Sequence, residues 1–172
     1  MKVYKLFALL LTFATAWGSH LSAKVIDVKS PNGELNLSVD VKDKIYYSVS
    51  YGNDLLLKDC YLNLQLENET LGNNPKLRST KKGVIDESVK REIPLKNAVV
   101  KNHCNTLRMN FAGNYAVEFR VFDNGVAYRF ITDKKGENIV MGEDFVLNFP
   151  ANYKAHLSQP NGFKTSYEYP YT

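Results

Sequence analysis

Two carboxyl groups set apart across a scissile bond can act as an acid and as a base or nucleophile. The sequence offers three places to look for one: Asp86 with Glu87, Glu143 with Asp144, and Glu168. The first two pairs are consecutive residues, a spacing that suits a solvated loop better than a facing acid and base. Glu168 differs in its surroundings, because Tyr167, Tyr169 and Tyr171 stand beside it. A carboxylate among aromatic rings suits a sugar-binding cleft or a metal seat at an interface, and a solvated rim position is the plainer alternative. Nucleophilic chemistry has less to work with. The three histidines are His20, His103 and His156, and a His103 and Cys104 dyad fails because adjacent strand residues point to opposite faces. The serine elbow, the phosphate-binding loop, the zinc-binding helix and the calcium hand are absent. Two cysteines without a nearby histidine pair do not make a structural zinc site.

The elements that must position these residues read as strands. Leu35, Leu37, Val39 and Val41 alternate with polar residues, and Ile45, Tyr47, Val49 and Tyr51 repeat the pattern after the Lys42-Asp43-Lys44 turn. Side chains two apart share a face, so each strand has a buried side and a wet side. Leu62, Leu64 and Leu66 predict another strand, Leu107, Met109 and Phe111 a further one, and Phe145, Leu147 and Phe149 a last one that Pro150 closes. Tyr115 to Ile131 reads as a hairpin about Asp123-Asn124-Gly125, where Asn-Gly favours the positive φ of a tight turn. The stretch from Gly72 to Leu95 shows no such alternation and reads as long loops with short strands, and His103 falls between strands. No window carries a helical repeat. The expectation is an all-β, two-sheet sandwich of roughly ten strands.

Met1 to Lys5 carries Lys2 and Lys5, and Leu6 to Trp17 is free of charge. This is a secretory leader, with cleavage after Gly18 or Ala23. It is shorter than the about 20 apolar residues of a membrane span, and no cysteine follows it to carry a lipid. The expected product is an exported domain, residues 24–172, periplasmic or extracellular, with no membrane partner. Loss of the two leader lysines lowers the formal charge from +4 to +2, which gives no footprint for nucleic acid. About 150 residues suffice for one domain with a hydrophobic core. In an oxidising compartment Cys60 and Cys104 could bridge, but two buried thiols is the preferred reading. The close at Tyr169-Pro170-Tyr171-Thr172 reads as a chain cut in mid-course.

Several segments taken in order resemble a known family. They are Ser30-Pro31-Asn32-Gly33 with Leu35-Asn36-Leu37, Tyr46-Tyr47-Ser48-Val49, Asp86-Glu87-Ser88, Lys101-Asn102-His103-Cys104-Asn105, and Phe119 to Phe130. Together they resemble the N-terminal domain of glycoside hydrolase family 97, the α-glucosidase and α-galactosidase family of Bacteroidetes. The resemblance implies a β-super-sandwich of the galactose-mutarotase-like kind, packed on a (β/α)₈ barrel that holds the catalytic acid and the base or nucleophile. It also implies a calcium ion at the active site, held mainly by barrel glutamates and by one glutamate from the N-terminal domain. That glutamate lies in a Glu-Tyr-x-Tyr-Thr pattern, which Glu168-Tyr169-Pro170-Tyr171-Thr172 matches. Glu168 is therefore the expected calcium ligand, α-linked oligosaccharide the expected ligand of the assembled enzyme, and the chain carries no catalytic residue of its own. The family's usual Arg-Asn-His-Tyr-Asn is here Lys101 to Asn105 with Cys104 in place of tyrosine, and extra residues stand around Gln159 to Lys164.

Two other functions compete with this one. A stand-alone module would hold oligosaccharide in a mutarotase-like groove, and a purely structural domain would only brace a neighbour. A reading frame that continues past Thr172 into a (β/α)₈ pattern separates the first reading from both.

Overall fold

A computed structural model describes residues 25–93 and 96–154. The leader, Glu168 and the Tyr-rich close of the chain lie outside the described residues. Ten strands run through the described part: β1 (Ile26–Lys29), β2 (Leu35–Val41), β3 (Ile45–Tyr51), β4 (Asp54–Leu66), β5 (Thr70–Leu71), β6 (Leu77–Lys90), β7 (Val99–Phe111), β8 (Tyr115–Phe122), β9 (Gly125–Thr132) and β10 (Val140–Val146). One sheet has the order β1-β2-β3-β4-β10, with β5 also paired to β4, and the other the order β6-β7-β8-β9. Every pairing is antiparallel. No described residue is helical, so no described helix is long and apolar enough to cross a membrane.

The two sheets stack with β1 over β7 and β2 over β8. Alternation explains the core between them. Leu35, Leu37 and Val39 of β2, Ile45, Tyr47 and Val49 of β3, and Cys60 and Leu62 of β4 meet Leu107, Met109 and Phe111 of β7 and Val117, Phe119 and Val121 of β8. Among the described residues twelve side chains are almost wholly excluded from water, Phe119 the largest of them. This is the two-sheet sandwich expected from the alternating pattern.

Three local expectations are corrected. The stretch read as loops contains β6, paired to β7 from Leu77↔Phe111 to Lys90↔Val99. Alternation was silent there because both faces of β6 are wet, only Ile85 being half-buried, so backbone pairing and not side-chain burial makes the strand. Gly83 permits the close approach, since a Cβ there would lie 3.0 Å from Thr106 Oγ1. His103, expected between strands, lies inside β7 opposite Asp86. The last strand starts earlier than its aromatic residues suggest and ends at Val146, because its ladder partner is the Tyr61–Leu66 part of β4. Beyond it Asn148 is held by other means, its N–H donating to Cys60 Sγ at 3.2 Å and its carbonyl accepting from Lys58 at 2.9 Å.

The cysteines are free and buried. Cys60 faces the core, whereas Cys104 occupies the β7 register of Thr106 and Arg108, one residue out of phase with Leu107 and Met109, and so faces the other side of its sheet. A sheet separates the two thiols, which excludes a bridge between them. Two thiols should accordingly titrate in the denatured protein, and the unfolding midpoint should be the same with and without reductant. A reductant-dependent midpoint would contradict this placement.

Candidate functional site

The β8–β9 hairpin organises the polar and aromatic groups. Phe122 pairs with Gly125, so the two turn residues are Asp123 and Asn124. Neither Asn124 nor Gly125 takes a positive φ, contrary to the expectation for Asn-Gly, because Gly125 already belongs to β9 and the dipeptide is out of phase with the turn. Asp123 has another task. Its Oδ1 accepts the backbone N–H of Asn32 at 2.9 Å. The Ser30-Pro31-Asn32-Gly33 turn is itself rigid: Ser30 Oγ donates to Asn32 Oδ1 at 2.6 Å and accepts from the Leu35 N–H at 3.0 Å, while Gly33 takes φ +79°. Two turns far apart in sequence, one from each sheet, are thus tied at one end of the sandwich.

From that end a cleft of about 430 Å³ runs between the sheets, lined mainly by Tyr47, Leu56, Leu57, Tyr128, Phe145 and Leu147. Tyr128 is its centre. Its ring lies 5.5 Å from that of Phe145 and 6.2 Å from that of Phe119, and its hydroxyl donates to the Glu143 carboxylate across the gap between sheets. Burial, and then the hydrogen bond to Glu143, push the Tyr128 hydroxyl pKa well above its usual value. It remains a neutral donor at physiological pH. Deeper in, burial raises the Tyr47 hydroxyl as well, with the Cys60 thiol as its neighbour.

On the outer face of the four-stranded sheet, Glu118 Oε1 accepts from Arg120 Nε at 3.2 Å and from an Arg129 terminal nitrogen at 2.8 Å. The Glu118 side chain is only 13% exposed, so the two guanidinium groups compensate a charge that is largely withdrawn from water. Arg108 stands opposite Glu118 on β7 and donates to Asn110 Oδ1 at 3.2 Å. The sequence reading missed this group, although the alternation of β8 puts Glu118 and Arg120 on one face and the hairpin register puts Arg129 opposite Glu118.

The proposed carboxylate pairs do not form. Asp86 and Glu87 lie on β6, not in a loop, and successive strand residues face apart. Glu87 accepts from Asn102 Nδ2 at 2.6 Å. Glu143 and Asp144 likewise lie on β10 and diverge, Glu143 toward Tyr128 and Asp144 toward Asn63 Nδ2 at 2.8 Å. His103 and Cys104 point to opposite faces as adjacent strand residues do, and burial raises the Cys104 thiol pKa, which disfavours the nucleophilic thiolate. Among the described residues no three His, Cys, Asp or Glu side chains converge as a metal site. Glu168, the expected calcium ligand, lies outside the described residues. As a charged, hard oxygen donor its side chain has the chemistry calcium takes, but calcium binds 6–8 oxygens and one carboxylate cannot supply the shell alone.

Comparison with known proteins places this arrangement. The family model described as Glycosyl-hydrolase 97 N-terminal matches residues 28–172. A retaining alpha-galactosidase of Bacteroides thetaiotaomicron is 28% identical over 135 residues, which is 78% of this chain and 20% of that protein. The crystal structure of a beta-arabinopyranosidase superposes with a TM-score of 0.66 at 29% identity, covering 73% of this chain and 21% of the other. A glycoside hydrolase family 97 enzyme from Pseudoalteromonas sp. strain K8, in complex with acarbose, superposes with a TM-score of 0.61 at 20% identity, covering 74% of this chain and 20% of that one. At that identity the likeness is one of fold. The chain spans about a fifth of the length of the relatives it matches.

Proposed function

The chain belongs to the glycosyl-hydrolase 97 N-terminal family, and from that premise we propose that it is the sugar-facing front domain of an exported, calcium-dependent α-glycosidase. The substrate is an α-linked oligosaccharide, as a glucoside or a galactoside, and the catalytic (β/α)₈ barrel belongs to the same polypeptide. The observation that carries the reading is the extent of the family match, residues 28–172, which takes in both tied turns and the Glu168 segment. Likeness to a retaining alpha-galactosidase over most of the chain supports the substrate class.

In this reading the labour is divided. The sandwich is a rigid support, and Glu168 brings one charged oxygen to a calcium ion whose other ligands belong to the barrel. The ion orients the sugar and stabilises developing charge, while barrel carboxylates move the protons. The domain alone performs no hydrolysis and holds calcium weakly. The leader at residues 1–23 directs the enzyme to the periplasm or beyond.

Chelation tests the proposal. Activity of the full-length enzyme on nitrophenyl α-glucoside or α-galactoside should fall to background in EGTA and return on addition of calcium. Activity that persists unchanged in EGTA would remove calcium from the reading.

A further inference from the structure

Three of the chain's five arginines meet on the outer face of the four-stranded sheet. Arg108, Glu118 and Arg129 stand in one cross-strand row, because Arg108 pairs with Glu118 and Glu118 with Arg129. Arg120 follows two residues along β8, and Lys81 extends the row onto β6 opposite Arg108. The other outward carboxylate within these strands, Glu87, lies further along β6 and accepts from Asn102. Four cations therefore stand about one acid.

The contacts within this group leave most of its donors unused. Glu118 Oε1 takes Arg120 Nε at 3.2 Å and an Arg129 terminal nitrogen at 2.8 Å, which sets two guanidinium groups side by side on a single oxygen. Arg108 commits its Nε to Asn110. Each guanidinium carries five N–H donors in a rigid fork, and among the described residues these are the side-chain contacts that the three arginines make. Like charges held this close repel, and one carboxylate does not neutralise three neighbours. There is room for a second anion. Arg120 is flanked in the ladder by Thr106 and Ala127, and beside these short side chains lies a hollow of about 210 Å³ lined by Glu118, Arg120, Ala127, Tyr128 and Arg129. The Arg129 side chain is 57% exposed, so its remaining nitrogens can be reached from solvent.

We propose that this hollow is a binding site for one oxyanion, a carboxylate or sulfate group, held by the uncommitted nitrogens of Arg120 and Arg129 with Arg108 adding positive charge from β7. A guanidinium fork matches two oxygens of such a group at once, which a lysine ammonium does not. Glu118 is a positioning residue here. By fixing Arg120 and Arg129 before the ligand arrives, it lowers the side-chain entropy lost on binding. The same oxyanion chemistry is offered by a free inorganic ion and by an acidic or sulfated sugar unit of a glycan. The second source rests on the glycosidase reading above, whereas the site itself rests on the arginines.

Equilibrium dialysis of the full-length protein against radiolabelled inorganic sulfate, in EGTA and with ionic strength held constant by chloride, tests this without calcium or turnover. One saturable equivalent per chain is expected. Arg129→Gln should weaken it by about tenfold or more, the scale of one lost hydrogen bond to a charged group. Arg120→Lys keeps the charge beside Glu118 and removes the fork, and should weaken it as well. Arg91→Gln, at an exposed position outside the strands, should leave it unchanged. Absence of a saturable equivalent, or one that neither Arg129→Gln nor Arg120→Lys alters, would overturn the proposal. Competitors then name the source. Glucuronic acid or glucose 6-sulfate displacing the label at about tenfold lower concentration than unlabelled sulfate identifies a glycan, and displacement at equal concentration identifies the free ion. Displacement by neutral glucose would mean that charge is not what is recognised, and also overturns the site. The effect of EGTA on activity stands or falls separately.

Discussion

Glu168→Gln in the full-length enzyme should lower calcium affinity by roughly 10- to 100-fold, since altering even the groups that support metal ligands has effects of that size. The substitution keeps length and a neutral carbonyl oxygen and removes only the charge. Affinity for calcium follows the number of charged ligands, so the expected defect is in retention of the ion and not in folding. At limiting calcium, kcat/KM should fall with occupancy, and excess calcium should restore most of it. Atomic emission on the dialysed protein and a calcium titration of activity measure the two halves. A variant that retains stoichiometric calcium and full activity in calcium-poor buffer would show that Glu168 is a rim carboxylate. Because Glu168 lies outside the described residues, this experiment bears directly on the one site residue the sequence singled out.

The largest stability effect should come from Phe119→Ala. Phe119 is 1% exposed and holds the β8 side of the core against the Tyr47 and Tyr128 rings, each 6.2 Å away. Truncation removes buried surface and leaves a cavity that two sheets fixed by their ladders cannot close, at a cost of about 3–5 kcal/mol. Urea unfolding of the full-length protein, followed by exchange of β7 and β8 amides, reads the loss. Val84→Ala serves as the contrast, because Val84 is 68% exposed on β6 and should change stability by less than about 0.5 kcal/mol. Equal effects at the two positions would mean that the core is not where the alternating residues put it.

The residues that told most about the fold were those with one wet and one dry neighbour. Leu35 to Val41 and Tyr115 to Val121 declare their strands and inward faces because side chains alternate with a period of two whatever the partner strand is. The register that sets Arg129 opposite Glu118 was not accessible in the same way, because Asn-Gly pointed to a turn one residue later than the Asp123-Asn124 turn that the ladder fixes. Strand β6 was hidden for the converse reason: a strand wet on both faces has no alternation to show. The likeness that pointed to the family rested on short segments, and the Asn32 to Asp123 hydrogen bond joins two of them in space.

By itself the sequence determined the strand class, the inward-facing residues, the presence of the β8–β9 hairpin and the family. Each follows from local steric alternation or from the order of residues along the chain. Only the tertiary structure decided that β10 returns to β4 across the length of the domain, that the two cysteines lie on opposite sides of a sheet, that Tyr128 meets Glu143, and that one sheet is narrower than the other. These depend on which distant backbone edges pair and how completely the layers cover each other, and that competition for hydrogen bonds and buried area is settled between strands, where no single segment carries the information.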